Sequence, residues 1–141
     1  MRVVFDTNIL CGALITLGGL ADRLYLAWRD RLFTLVTSEE QLEDFRRVTR
    51  YPRVRKYIEP AAAGTLQNEL RRLAVMLAEL PVIEASRDLW DDFLLAMAQA
   101  GKADFLVIGD KRDLLSMGSF GKTRMVTARQ MLDELQPQGA S

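Results

Sequence analysis

"RVVFDTNIL", residues 2–10, runs from a short apolar segment through an aspartate into a second apolar segment. Val3 to Phe5 is β-branched and aromatic, the composition of a strand buried on both faces of a parallel sheet. "FTLVTS" (33–38) and "DFLVIGD" (104–110) repeat the pattern, a nearly continuous apolar run closing on polar residues. "PVIEA" (81–85) and "RMVTA" (124–128) are weaker strand candidates. The stretches between them predict helices over 18–29, 39–49, 60–79, 88–100 and 127–135. "RYPRVRKYIEP" (50–60), with two prolines, predicts a short helix or turn. Alternating strands and helices argue for an α/β sandwich. One domain over residues 1–135 is expected, with a disordered tail, "QPQGAS" (136–141).

Composition narrows the chemistry. The chain has 141 residues, 49% of them hydrophobic, enough for one core without disulfides or a structural metal. Cys11 is the only cysteine and histidine is absent, which excludes disulfide frameworks, zinc-finger spacings, Ser-His-Asp triads and Cys-His dyads. Catalysis would have to use carboxylates, hydroxyls or cations. No apolar run has the length of a membrane span, and no signal-peptide pattern opens the sequence, so a cytoplasmic protein with no membrane partner is expected. Nineteen basic and nineteen acidic side chains cancel, so net charge predicts no partner.

The acids are placed more tellingly than they are numbered. In open α/β sheets ligands bind beyond the carboxyl ends of the strands, and Asp6 and Asp110 each follow an apolar run there. Helix capping is the competing account of either residue. In "SRDLWDDFLLAMA" (86–98) Asp88 is a plausible N-cap, and the helix dipole alone would favour acids in the first turn. At about 100° per residue, Asp91 lies roughly 110° from the centre of the face made by Trp90, Phe93, Leu94 and Met97, and Asp92 roughly 150°. Asp91 is therefore the better candidate to point inward. On helix 39–49, Asp44 lies about 100° from the centre of the face made by Leu42, Phe45 and Val48, with Glu39, Glu40 and Glu43 about 120° to 160° away. Glu40 and Glu43 are expected to be solvated.

Four aspartates at one sheet edge would repel one another without a cation among them. Carboxylate and water oxygens are ligands of Mg²⁺ and Mn²⁺. Such a cluster supports metal-assisted hydrolysis of a phosphodiester. A phosphatase with an aspartyl nucleophile is the less favoured alternative, because its second acid would stand where Asn8 is.

"VVFDTNIL" (3–10), "TSEEQLEDFRRV" (37–48), "DLWDDFLLAMAQAGKADFLVIGDKRDLL" (88–115) and "TRMVTARQML" (123–132) resemble, in order, the motifs of PIN-domain ribonucleases. The resemblance covers nearly the whole chain and is nearest to the VapC-related toxins of toxin–antitoxin systems. It implies a three-layer α/β/α fold with a central, mainly parallel sheet, and a Mg²⁺- or Mn²⁺-dependent endoribonuclease. Asp6, Asp44, Asp91 and Asp110 would be the catalytic acids and metal ligands, with Asp113 an auxiliary ligand. Thr7 would orient a ligand or water, Asn8 would brace the turn, and Ser38 and Asp88 would support the site. The chain departs from the pattern at Asp44, where a glutamate is usual, at Ile108, where a threonine is frequent, and at Leu89, where a proline is usual.

Residues 46–56 carry Arg46, Arg47, Arg50, Arg53, Arg55 and Lys56 and no acid. A solvated basic face is one reading. The other is a phosphate-binding patch formed by Arg46, Arg47, Arg50 and Arg53, joined by Lys111 and Arg112, with Tyr51 and Tyr57 stacking on unpaired bases. The resemblance further implies a small antitoxin protein as partner, and a homodimer. "ILCGALITLGGLADRLYLAW" (9–28) is richer in apolar residues than one buried helix face requires. Core packing is the expected reason, and a partner surface the alternative.

Overall fold

The computed structural model describes residues 1–86, 88–109 and 112–136, with Arg112 described by its backbone alone. The tail expected to be disordered lies, beyond Gln136, outside the described residues. In chain order the elements are β1 (Arg2–Phe5), α1 (Thr7–Ile15), α2 (Leu20–Arg29), β2 (Thr34–Ser38), α3 (Glu39–Val48), α4 (Pro52–Arg55), α5 (Pro60–Leu73), β3 (Val75–Leu77), α6 (Leu89–Ala100), β4 (Phe105–Ile108), α7 (Arg112–Met117), β5 (Ser119–Phe120), β6 (Thr123–Thr127) and α8 (Ala128–Glu134).

The strands form one sheet in the order β3-β2-β1-β4-β6-β5. All pairs are parallel except β5 with β6. Alternate residues feed opposite cores, as the period of two requires. Val3, Phe5, Leu35, Phe105 and Val107 pack under α1, α2, α3, α5 and α8. Val4, Val36, Leu106 and Ile108 pack under α6 and α7. This is a three-layer α/β/α sandwich, as the alternation of elements predicts. Phe45 is wholly buried, and its truncation to alanine would cost about 3–5 kcal/mol.

Local chemistry sets the helix boundaries. Ser38 accepts the N–H of Gln41 to cap α3, and Thr127 and Gln130 form a reciprocal capping box on α8. Pro52 and Pro60 open α4 and α5, where a missing N–H costs nothing. Gly101 closes α6 so tightly against β2 that an added Cβ would lie 2.6 Å from Val36 Cγ1. Between α2 and α5, Glu69 accepts from Tyr25 and pairs with Arg29 at 2.6 Å. Burial, reinforced by the bond to Glu69, pushes the Tyr25 hydroxyl up to about 12.

Two expectations are corrected, and three elements were not expected. The helix expected over 18–29 is α2, and α1 before it is one of the three unexpected elements. Helix α1 buries Thr7, Ile9, Leu10, Cys11 and Ala13 and so shows no polar face for periodicity to detect. The apolar excess over 9–28 is largely core, although Leu17 and Leu26 stay exposed. The helix expected over 60–79 stops at Leu73, because Val75–Leu77 leaves it to pair with β2. Such a short apolar run cannot be told from buried helix by pattern alone. Residues 81–85 form no strand, and Val82 is 91% exposed. Helix α7 and strand β5 were not expected.

No single helix among the described residues is long and apolar enough to cross a membrane.

Candidate active site

Strand order reverses between β1 and β4: the chain moves outward one way through β2 and β3 and the other way through β6. The crevice beyond the carboxyl ends of two such strands is where an α/β sheet leaves room for a ligand. Asp6 stands at that point, held from both sides. Its N–H donates to Val107 O at 2.9 Å, continuing the β1–β4 ladder, and its carbonyl accepts from Ile9 at 2.9 Å, starting α1. The carboxylate accepts from the Asn8 N–H at 3.3 Å and the Gly109 N–H at 3.5 Å, and the residue is 1% exposed. Asp6 thus caps a helix and also faces the crevice; the two accounts of it are compatible.

A cavity of about 260 Å³ opens beside it, lined by Asp6, Thr7, Asn8, Asp44, Arg47, Val48 and Trp90. Thr7 is 3% exposed, and its hydroxyl finds no hydrogen-bond partner among the described residues. A buried orphan hydroxyl costs about 1–3 kcal/mol unless a ligand or water meets it. Asn8 braces the turn through its backbone N–H.

Asp44 reaches the same cavity from α3 and is more buried than Glu39, Glu40 and Glu43, the order its helical angle predicts. Arg47, one turn on, binds it. The residue that docks α3 here went unnoticed in the sequence. Gln41 is 1% exposed, donates to Phe5 O at 2.6 Å and accepts from Thr37 Oγ1 at 2.6 Å. Its signal was a polar side chain four residues before Phe45, on the apolar face. Ser38 supports the site indirectly, by capping α3 and donating to Met97 Sδ at 3.1 Å.

Asp91 is 3% exposed in the first turn of α6; its neighbour Trp90 walls the cavity, and Asp91 itself does not line it. Asp88 caps that helix by accepting the Trp90 N–H at 2.8 Å, with Leu89 in place of proline. Asp92, expected to face away, is also buried. Its Oδ1 accepts from Ala85 and Ser86 at 3.0 and 2.7 Å, because the loop before α6 folds back over the helix end. Asp113 is exposed on α7 and does not line the cavity. Ile108 packs into the core beneath α6, so a residue there faces apolar neighbours and not the cavity. Asp110, Lys111 and the Arg112 side chain lie outside the described residues.

Burial, then the negative charge of Asp44 and Asp6, pushes the Cys11 thiol up to about 12. The thiol is thereby inert as a nucleophile. No group of three His, Cys, Asp or Glu among the described residues is placed to hold a metal ion. Mg²⁺ asks for less, one or two carboxylates with the rest water or phosphate. Asp6 and Asp44 with the Thr7 hydroxyl fit such a hydrated ion.

A larger groove of about 680 Å³ adjoins this cavity, lined by Arg46, Arg47, Arg50, Tyr51 and Trp90 with Glu40, Glu43 and Asp44. Beyond it a third hollow of about 410 Å³ includes Arg46, Arg50 and Arg55. Arg53 and Tyr57, both exposed, line neither. Arg55, on the same short helix, lines the third hollow instead.

The family model described as PIN domain matches residues 2–112. No curated protein and no solved structure gives a significant match.

Proposed function

The chain belongs to the PIN-domain family, whose members are generally metal-dependent nucleases, and from that premise we propose that it is a Mg²⁺- or Mn²⁺-dependent endoribonuclease. The observation that carries the reading is the pairing, in one cavity at the sheet's switch point, of Asp6 and Asp44 with the orphan hydroxyl of Thr7. Asp6, Asp44, Asp91 and Asp110 are its proposed acids. A metal bound there would lower the pKa of a water and stabilise the leaving oxygen. The chain's own part is to fix the acids: Asp6 through the β1–β4 ladder, Asp44 through Gln41, Asp91 through the cap of α6. Arg46, Arg47 and Arg50 would hold the RNA backbone beside them. Our proposal extends to the biological setting: a cytoplasmic toxin, a homodimer, restrained by a small antitoxin protein.

One observation favours a second reading, a catalytically weak module that binds RNA or protein. Arg47 holds Asp44, which is already a methylene shorter than the usual glutamate. Cleavage of a mixed RNA pool by the purified protein decides between the two. Cleavage that needs Mn²⁺ or Mg²⁺ and disappears with EDTA and in Asp6→Asn supports the nuclease. Binding without cleavage in either protein supports the module.

A further inference from the structure

Three hollows lie end to end on the surface made by α3 and the segment after it. The acid cavity and the larger groove share Asp44, Arg47 and Trp90 as a wall, and the groove and the third hollow share Arg46 and Arg50. Charge changes sign along this path. Asp6 and Asp44 outnumber Arg47 at one end, Glu40, Glu43 and Asp44 offset Arg46, Arg47 and Arg50 in the middle groove, and Arg46, Arg50 and Arg55, with no acid among the lining residues, mark the other end. A phosphate backbone is held by the cationic end and kept off the acidic end unless a cation sits there. The path therefore has a direction, from Arg55 towards Asp6.

Trp90 stands at the joint between the acid cavity and the arginine groove. Its ring stacks on Phe93, with centroids 4.4 Å apart and planes 23° apart, and the same ring walls both the acid cavity and the arginine groove. Phe93 backs the indole, so the ring is supported on one side before anything binds. Tyr51, 46% exposed, supplies a second ring further along the groove. Aromatic rings between arginines suit unpaired bases, since every base offers a π-face and a paired base does not.

We infer that this path is a track for single-stranded RNA, in which Trp90 stacks on the base next to the phosphate that reaches Asp6 and so makes an unpaired nucleotide the condition for entry. The inference rests on the ribonuclease reading for the identity of the nucleic acid. Trp90 acts as a specificity residue, because it sorts substrates by strandedness and touches no reacting atom.

The test uses the whole chain in EDTA, so that nothing is cleaved. The chain has two tryptophans, and Trp28 is buried in the core, so quenching by a ligand reports Trp90. Single-stranded oligouridylate should quench the fluorescence of the unmodified protein, and an RNA duplex of equal length should not. Trp90→Leu should weaken oligouridylate binding about tenfold while Trp90→Phe keeps most of it, as expected for lost stacking. Removing Arg46 and Arg50 together should flatten the salt dependence by about 1.4, two phosphates at about 0.7 each. Equal quenching by duplex, or unchanged oligouridylate affinity in Trp90→Leu, would overturn the track. So would quenching by an acidic peptide that oligouridylate cannot displace. Failure of the nuclease reading looks different: oligouridylate still binds through Trp90, and no metal restores cleavage.

Discussion

An aspartate side chain ties β1 to β4 at each end of the pair, and the two ties are unlike. At the amino edge, Asp104 precedes β4 and accepts the N–H of Arg2 at 2.8 Å. Its other oxygen meets Lys122 at 3.3 Å, and its side chain is 40% exposed. At the carboxyl edge, Asp6 follows β1 and accepts the N–H of Gly109 at 3.5 Å. It is almost wholly buried, with a second carboxylate and an orphan hydroxyl on the same cavity wall. Both acids join the same strands, but only the second shares a cavity with another carboxylate. Asp104 has a short donor, a cation and solvent, all that a structural carboxylate needs. Asp6 and Asp44, the latter paired with Arg47, line one cavity at the sheet's switch point, where a hydrated divalent cation would find two carboxylates.

The comparison is sharpest at Asp6→Asn. Asparagine keeps one acceptor for the Asn8 N–H and gives up only the longer contact from Gly109, so stability should fall by less than about 1 kcal/mol while metal-dependent cleavage falls to the level left by EDTA. Cleavage surviving this change would remove Asp6 from the chemistry and make the two edges alike. Next in size is Asp92→Ala, which leaves the N–H groups of Ala85 and Ser86 without their acceptor. A loss of about 1–3 kcal/mol in denaturant unfolding is expected, with metal binding by the folded protein retained.

Thr7→Val separates a ligand-facing hydroxyl from a structural one. No partner among the described residues is lost, so stability should stay level or rise slightly, while metal affinity falls about tenfold. A stability loss with unchanged affinity would make Thr7 a packing residue.

The smallest effect belongs to Asp104. Its backbone bond to Arg2, then Lys122, outweigh burial and hold its carboxyl below the usual value of 3.8. Such a group stabilises the fold above its unfolded pKa, and the stabilisation disappears as pH falls through the lower folded value. Asp104→Asn should therefore cost less than about 1 kcal/mol near neutrality, because solvent screens so exposed a group, and nothing in strong acid. Unfolding curves across acid pH would show the two proteins converging, with cleavage per folded molecule the same in both.

The amino acid order discloses the carboxyl edge better than it discloses what supports it. Asp6 was legible because a strand buried on both faces must end in polar residues, and Asp44 because helical angle ranks the acids of α3. Helix α1 was hidden by its own burial, which erases the polar face on which periodicity depends. Val75–Leu77 was hidden because pairing with β2 overrides a local preference that helix and strand share. Gln41 and Asp92 escaped for a third reason. Each is a polar group buried by long-range hydrogen bonds, to Phe5 O and to a returning loop, and no local pattern encodes them.

We expect the carboxyl edge to take up a divalent cation and the amino edge to take up none. Mn²⁺ binding followed by the loss of the free-ion electron paramagnetic resonance signal tests it without any substrate. The account predicts that the unmodified protein and Asp104→Asn bind Mn²⁺ alike and that Asp6→Asn, equally folded, does not. Equal binding by all three, or equal loss in both variants, would contradict it.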